Sequence, residues 1–207
     1  MNDKRDEHNG DEHDGDAHAA QTRRSRKVVE DMVDGLNRHV IDGQEKWWHA
    51  NATWRGPAGA GLKSGVKEFQ DAWQRPFLAA FPDKKASDCI RIADGKFVAA
   101  AGYQEATHRG EFLGIPATGK KVRLRYMDFW EIEDGKIKDN WVLLDFVDLL
   151  RQLGVDPLRG AGFDQGDWNP DTFDTGGAAW PPRPDEPSNA PNASGKPGNR
   201  GDKKMTD

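Results

Sequence analysis

The chain has 207 residues, a formal net charge of −5 and a mean hydropathy of −0.89. This acidic balance, without a dominant basic stripe, argues against nucleic-acid binding, and no apolar run is long enough to span a bilayer. The polar, acidic N-terminus does not resemble a signal peptide, and the single cysteine, Cys89, excludes an intramolecular disulfide. We therefore expect a cytoplasmic protein that binds neither nucleic acid nor a membrane.

The two ends of the chain differ from its middle in composition. Residues 1–24 are acidic, contain histidines and include almost no large apolar side chain, and residues 158–207 are rich in Pro, Gly and Asn. Such segments bury too little apolar surface to offset the entropy lost on ordering, so both are predicted to be disordered tails. Residues 25–157 are predicted to form a single domain with an adequate core.

Two helices are predicted at the start of this domain. Over residues 25–40 the apolar side chains recur at spacings of three and four, which places them on one face of a helix. A second helix is predicted over residues 64–81, with Ser64 as its N-cap and a kink at Pro76. Residues 51–61, between the two helices, are predicted to form a short strand followed by a flexible glycine-rich lip.

The apolar period then changes from 3.6 to 2, which indicates strands. Four strands are predicted, joined as two hairpins by Asp-Gly turns, at residues 86–93, 96–108, 122–133 and 136–144. A last helix is predicted over residues 145–153, ended by Gly154. This order predicts an α+β fold, in which a curved antiparallel sheet wraps around the N-terminal helices and leaves a cone-shaped cavity.

Asp128 is the first candidate for chemistry, because it lies among aromatic and apolar residues in the middle of a predicted strand. A carboxylate in such surroundings loses hydration, so its pKa rises and it becomes suited to act as a general base near neutral pH. The alternative is a structural salt bridge with Arg123, Arg125 or Lys138.

The hairpin turn decides which residue faces Asp128. A strict two-residue turn places Trp141 beside it, which would make Trp141 a candidate ligand contact. A three-residue loop with a bulge at Gly135 instead places Asn140 beside it and Val142 one step further along. In that second arrangement Tyr126 faces the same side, and these residues become the predicted substrate-binding set.

Further candidates surround these strands. His108 ends a predicted strand and could act as an acid or orient a ligand, or could be purely structural. Asp145 could line the pocket rim or only cap the last helix, and Trp54 could stack on a flat ligand or fill the core. The histidines of the N-terminal tail lack a fixed geometry, so no metal site is predicted.

Three motifs resemble the SnoaL-like polyketide cyclase family. They are the glycine-rich loop at residues 108–119, the DGKI hairpin at residues 134–137 and the closing LLRQLG helix at residues 149–154. The resemblance implies the nuclear transport factor 2-like α+β barrel, which is commonly dimeric and is shared with ketosteroid isomerases and limonene epoxide hydrolases. It also favours the hairpin phase that places Asn140 and Val142 on the side of Asp128.

The resemblance also implies a chemistry. Aromatic polyketide cyclases of this family close a ring by intramolecular aldol condensation, using acid–base groups and no metal or cofactor. Counted from the DGKI motif, the family's catalytic Asp falls on Val142 and its partner His falls on Asp128. The sequence therefore predicts either a base relocated to Asp128, with His108 and Tyr126 donating hydrogen bonds to an enolate, or a loss of this chemistry.

Three functions follow as alternatives. The first is a cofactor-independent cyclase or isomerase that acts on a hydrophobic carbonyl compound through Asp128. The second is a non-catalytic module that binds a small hydrophobic molecule, which the replacement of the expected base by Val142 favours. The third is a homodimeric interaction protein that recruits partners through its tails.

Overall fold

The computed structural model describes the backbone of residues 7–158 and the side chains of residues 15–158. The helices are α1 (Glu7–Asn37), α2 (Val66–Phe69), α3 (Arg75–Ala80) and α4 (Phe146–Leu153). The strands are β1 (Trp48–Arg55), β2 (Leu62–Ser64), β3 (Lys85–Asp94), β4 (Phe97–Thr107), β5 (Lys121–Glu133) and β6 (Lys136–Leu144). The four predicted long strands are confirmed to within one or two residues.

The six strands form one sheet in the order β2-β1-β6-β5-β4-β3. The predicted α+β class is confirmed. Neighbouring strands run antiparallel except for β1 and β6, which run parallel, so the prediction of a wholly antiparallel sheet was wrong at this pair. The exception arises because α2, α3 and four strands separate β1 from β6 along the chain, so no tight turn fixes their relative direction.

Helix α1 packs across the concave side of the sheet and contacts strands β3, β4, β5 and β6. Its buried face includes Val29 and Met32, as its apolar spacing predicts. The helix begins at Glu7, inside the segment that the sequence assigns to the N-terminal tail. Within that segment Nε2 of His18 lies 2.5 Å from a carboxylate oxygen of Asp94, at the turn between β3 and β4.

Residues 1–6 and 159–207, which hold the rest of the predicted tails, lie outside the described residues. None of the described helices combines the length and the apolar character that crossing a membrane requires.

The second predicted helix is divided into three parts. Helix α2 passes into a π-helical segment, Gln70–Gln74, before α3 continues to Ala80. The widening directly precedes Pro76, which lies in the first turn of α3 and has no N–H to donate, so the break agrees with the predicted kink. Ser64 is not the N-cap: its backbone N–H donates to a carboxylate oxygen of Glu68 at 2.8 Å, and the residue preceding α2 is Gly65.

Helix α4 closes the domain against β5. The side chain of Asp145 accepts a hydrogen bond of 3.0 Å from the backbone N–H of Asp148, which confirms its capping role. Gly154 ends the helix in the left-handed conformation, with φ of 102°, where a residue without a Cβ is favoured. Leu149 and Leu153 anchor the helix in the core.

Candidate active site

The β5–β6 hairpin decides which residues share a face with Asp128. The chain turns through Asp134 and Gly135, both at positive φ (47° and 72°), as in a two-residue type I′ turn. Strand β6 has one residue more than β5 in this hairpin. The structure places that extra residue where the pairing shifts between Glu131 and Ile132, and not at Gly135 as predicted. The bulge nevertheless has the predicted consequence of changing the phase of β6 relative to β5.

As a result, Val142 is the direct cross-strand partner of Asp128, and Asn140 is paired with Trp130. Asn140 was predicted to be the direct partner and is instead the diagonal neighbour. Its amide Nδ2 still reaches Asp128, donating hydrogen bonds of 2.5 Å to a carboxylate oxygen and 2.9 Å to the carbonyl oxygen of Phe129.

A cavity lies between this face of the sheet and the helices. Its enclosed space has a volume of about 90 Å³, and it is lined mainly by aromatic and aliphatic side chains. Tyr126, Asp128, Asn140, Val142 and Trp54 all line it, as the sequence predicted. The ring of Trp54 is stacked between Phe69 and Trp73, with centroid distances of 5.1 and 5.2 Å, so it forms a fixed wall.

Asp128 is half-buried and lines the cavity, where aromatic and aliphatic side chains surround it. Burial raises the pKa of its carboxyl well above the ordinary value, and the nearby carboxylate of Asp88 raises it further. The hydrogen bond from Asn140 and the charge of Lys84 act in the opposite direction but do not cancel the effect of burial. With its pKa raised in this way, the carboxyl is suited to exchange a proton near neutral pH.

Lys84 brings a cation to the same cavity, although its side chain is only 8% exposed. Burial lowers the pKa of its amine to about 8, partly opposed by the negative charge of Asp128. A lysine with this pKa is present as both ammonium and free amine at neutral and mildly alkaline pH.

Tyr126 does not have a free hydroxyl. It donates a hydrogen bond to Oδ1 of Asp88, and burial together with that carboxylate raises the pKa of the phenol. Asp88 is held in turn by the guanidinium of Arg91, at 2.5 Å, and Arg91 lies 3.4 Å from Glu30 of helix α1. The predicted role of Tyr126 as a donor to an enolate therefore conflicts with this network, in which its proton is already used.

Trp48 supplies a donor that remains unused. Its ring lines the cavity and is 1% exposed, and its indole Nε1 has no hydrogen-bond partner among the described residues. A buried N–H without an acceptor costs roughly 1–3 kcal/mol, so Trp48 carries an unsatisfied polar group.

His108 is not among the residues that line this cavity, so the structure does not bring this predicted catalytic residue together with Asp128. The ring is fully buried and stacks on Phe81 with a centroid distance of 5.2 Å. Its Nδ1 accepts a hydrogen bond of 3.3 Å from the backbone N–H of Thr118, which ties down the glycine-rich loop. Burial lowers the pKa of the imidazole, which favours the neutral ring of a structural residue.

Trp141 and Asp145 also lie away from the cavity. Trp141 projects from the opposite face of the sheet, where it is 38% exposed and lies 5.6 Å from the guanidinium of Arg55, because the bulge reverses the phase of a strict two-residue hairpin. Asp145 caps α4 and forms an ion pair with Arg125. It borders a separate apolar groove of about 540 Å³, so neither residue contacts a ligand bound beside Asp128.

This groove is larger than the cavity, but the charged groups at its edge, Arg125 and Asp145, are paired with each other. The cavity holds an acid–base group and a cation in a desolvated setting, so we assign the candidate site there. Among the described side chains, no group of three or more His, Cys, Asp and Glu residues is arranged to hold a metal ion.

Sequence reasoning missed Lys84 and Asp88. Asp88 carries the signal that identified Asp128, since it is a carboxylate within an alternating strand. Lys84 gives no such signal, because a Lys-Lys pair after Pro-Asp resembles an exposed turn. Its burial follows from the contact between α1, α3 and the start of β3, which local sequence does not encode.

Comparison with known proteins agrees with the fold. The family model described as SnoaL-like polyketide cyclase matches residues 26–153, which is more than half of the chain. No curated protein matches the chain. A solved structure of AclR, a hydroxylase candidate from Streptomyces galilaeus, is 26% identical, with a TM-score of 0.57, and the match covers 64% of this chain and 97% of AclR.

Two further solved structures are similar. IdmH, a polyketide cyclase candidate from Streptomyces antibioticus, is 24% identical, with a TM-score of 0.57 over 63% of this chain and 99% of IdmH. A SnoaL-like polyketide cyclase from Agrobacterium tumefaciens is 25% identical, with a TM-score of 0.54 over 63% of this chain and 98% of its own. The chain therefore belongs to the SnoaL-like polyketide cyclase family.

Proposed function

We propose that this protein is a cofactor-independent cyclase- or isomerase-type enzyme that acts on a small hydrophobic carbonyl compound, with Asp128 as its general base. The observation that carries the proposal is the desolvated carboxyl of Asp128 at the wall of an aromatic cavity. A carboxylate with a raised pKa is a stronger base than one in water, and an apolar cavity favours ligands of matching character.

The proposed step is removal of a proton from the carbon next to a carbonyl group. Ionised Asp128 accepts the proton, and the negative charge moves to the carbonyl oxygen as an enolate. Lys84 lines the same cavity, and its ammonium supplies a positive charge for that oxygen; Trp48 lines it too, and a small shift of its ring would let the unpaired indole N–H donate a hydrogen bond. They replace His108 and Tyr126 in the role that the sequence suggested.

Family membership alone does not select the reaction, since the similar structures include both cyclase and hydroxylase candidates. The non-catalytic binding module remains the second candidate, because Val142 occupies the position where the family resemblance places a carboxylate. The third candidate, an interaction protein, depends on residues 159–207, which lie outside the described residues. Deleting residues 160–207 tests it: unchanged activity and dimerisation would set it aside.

The test of the proposed enzyme needs no natural substrate. The enclosed volume of about 90 Å³ lies below the roughly 300–1,000 Å³ of typical ligand sites, so a small ketone such as cyclopentanone is a suitable probe. In D₂O, the wild-type protein is expected to exchange the protons next to the carbonyl, and proton NMR follows the loss of their signal.

Asp128→Asn is expected to lower this exchange rate at least about 100-fold, because the amide cannot accept the proton. Asp139→Asn is the matched control, since Asp139 lies on the neighbouring strand and pairs with Arg55 at 3.0 Å. Full exchange by Asp128→Asn would refute the assigned base. Ketone binding without exchange by the wild type would favour the binding module.

We also propose that the protein forms a homodimer through the outer face of the sheet. Met127 and Phe129 on β5 lie directly opposite Leu143 and Trp141 on β6, and all four side chains are 38–62% exposed. A contiguous apolar patch of this kind is characteristic of an interaction surface, and a second copy of this chain offers the same flat apolar face. Sedimentation equilibrium tests the assembly.

A further inference from the structure

Lys84 is the most unusual charged side chain among the described residues, because it is nine-tenths buried without an ion-pair partner. Across the described residues its amine forms no hydrogen bond and no salt bridge. The backbone, in contrast, is held on both sides: its N–H donates to the carbonyl of Phe81 at 3.2 Å, and its carbonyl accepts from Nε2 of His39 at 2.8 Å. A fixed backbone therefore presents an unpaired amine.

Lys84 lies between two spaces, the main cavity and a smaller apolar void. It borders the main cavity together with Asp128, and it also borders a void of about 10 Å³ lined by Phe77, Phe81 and other apolar side chains. Gln104 borders both spaces as well. The charged groups that act on the amine are Asp128, from β5, and the neighbouring Lys85.

Trp48 also lines the cavity, and its indole Nε1 is a second buried polar group without a hydrogen-bond partner among the described residues. An N–H donor requires an acceptor, and an amine requires an electrophile or an acceptor. A carbonyl group satisfies both, since its oxygen accepts a hydrogen bond and its carbon is attacked by an amine. Two buried groups that lack protein partners thus indicate one class of ligand atom.

We propose that Lys84 is a nucleophile that binds an aldehyde or ketone covalently, as an imine, inside this cavity. The proposal deepens the proposed function, and it rests on that function only for the carbonyl class of the ligand; Lys84 then activates the carbonyl compound as an iminium in place of its ammonium stabilising an enolate oxygen. It gives the cavity a means to select carbonyl compounds and to hold them in place. In its iminium form the ligand also carries a positive charge that acidifies the adjacent C–H, which is the bond that Asp128 would break.

The step balances with the groups present. The free amine of Lys84 attacks the carbonyl carbon, a C–N bond forms, and the carbonyl oxygen takes a proton from the carboxyl of Asp128. The nitrogen of the resulting carbinolamine returns a proton to the Asp128 carboxylate. That proton then passes to the hydroxyl group, the C–O bond breaks, water leaves, and the nitrogen lone pair forms the C=N bond of an iminium beside the Asp128 carboxylate.

The protonation equilibria of both groups support this sequence. Burial lowers the pKa of Lys84 to about 8, so roughly a tenth of the amine is neutral at pH 7, against well under a thousandth for an ordinary lysine. The pKa of Asp128 is raised, so the carboxyl form that donates the first proton is available at higher pH than usual.

Reductive trapping on the full chain tests the proposal. The protein is incubated at pH 7 with a low concentration of butanal and with cyanoborohydride, which reduces an iminium to a stable secondary amine. Fragmentation mass spectrometry then locates the adduct. Lys85 is the internal control, because it is an exposed lysine next in the chain. We expect the adduct on Lys84 to exceed that on Lys85 at least about tenfold.

Two variants extend the test. Lys84→Arg keeps a positive charge and should lose the selective adduct, whereas Lys85→Arg should retain it. Equal labelling of the two lysines in the wild type, or an unchanged adduct yield in Lys84→Arg, would overturn the proposal. These outcomes do not depend on ketone proton exchange: exchange without trapping leaves Asp128 as a base and removes the imine, whereas trapping on Lys84 without exchange by the wild type keeps the imine and removes Asp128 as the base.

Discussion

The two faces of strands β5 and β6 differ in the polarity of their side chains, and the difference is the reverse of the usual pattern in a sheet. The inner face carries polar groups among its apolar residues, namely Tyr126, Asp128 and Asn140, whereas the outer face carries the exposed apolar residues Met127, Phe129, Trp141 and Leu143. In most half-exposed sheets the polar residues face water and the apolar residues face the core. This arrangement supports the proposed ligand site on the inner face and the proposed dimer interface on the outer face.

Each face also carries a feature that does not stabilise the isolated domain. Desolvating the Asp128 carboxyl opposes folding, because the charged form is favoured in water, and exposing four large apolar side chains gains nothing in the monomer. Neither feature helps the isolated domain to fold. Under the proposed function, each is offset when its partner is bound, a carbonyl ligand on the inside and a second subunit on the outside.

The largest expected effect concerns the outer face. Leu143→Arg, at a position 62% exposed and opposite Met127, is expected to weaken dimerisation by about 100-fold or more, because a charge is buried without a partner. Leu62→Arg is the matched control, since Leu62 is 53% exposed but lies on the edge strand β2. Sedimentation equilibrium compares the two; equal dissociation constants would show that this face is not the interface.

A smaller effect is expected from a charge added to the inner face. Val142→Asp places a second carboxylate directly opposite Asp128 and should lower the free energy of unfolding by about 2–4 kcal/mol. Val155→Asp makes the same chemical change at a position 45% exposed, and its cost should stay below about 1 kcal/mol. Urea denaturation measures both; similar losses would contradict the assignment of Val142 to a desolvated wall.

The smallest effect is expected in the pH dependence of stability. Because the folded-state pKa of Asp128 is raised, the folded protein binds more protons than the unfolded chain above pH 4, so this group makes stability fall as pH rises toward its folded pKa. Asp128→Asn removes this contribution. Its free energy of unfolding should exceed that of the wild type at pH 7 by about 1 kcal/mol or more, with little difference at pH 3.

Asp139→Asn serves as the control for this measurement. Asp139 is ion-paired with Arg55 near the surface, so its replacement should change stability by less than about 1 kcal/mol and without the same pH dependence. A wild-type protein whose stability rises with pH to the same extent as Asp128→Asn would contradict the raised pKa.

Much of the fold was predictable from local signals. The Asp-Gly turns, the period-2 strands and the Gly154 stop are encoded by adjacent residues, and the structure confirms them. The parallel pairing of β1 with β6 was not predictable, because it joins strands that are distant in sequence. Strand β2 was not predicted either, because it is only three residues long and carries too short a pattern to indicate a strand.

The candidate site was predictable in part. Asp128 and its neighbours on one face followed from strand alternation once the hairpin phase was chosen. The choice between Trp141 and Asn140 as the residue beside Asp128 depended on one bulge, whose position the turn residues do not specify, and the structure pairs Asp128 with Val142 instead. The separation of His108 from the cavity and the burial of Lys84 depend on how α1 and α3 pack against the sheet, which a single sequence does not reveal.

The most direct test of the central claim is the pKa of the Asp128 carboxyl, measured by carbon-detected NMR titration, with its signal assigned from the spectrum of Asp128→Asn. We predict a value well above the figure of about 4 found in peptides, since the desolvated carboxyl retains its proton toward neutral pH. A value of about 4 or below would mean a solvated or salt-bridged carboxylate and would contradict its role as the general base of this cavity.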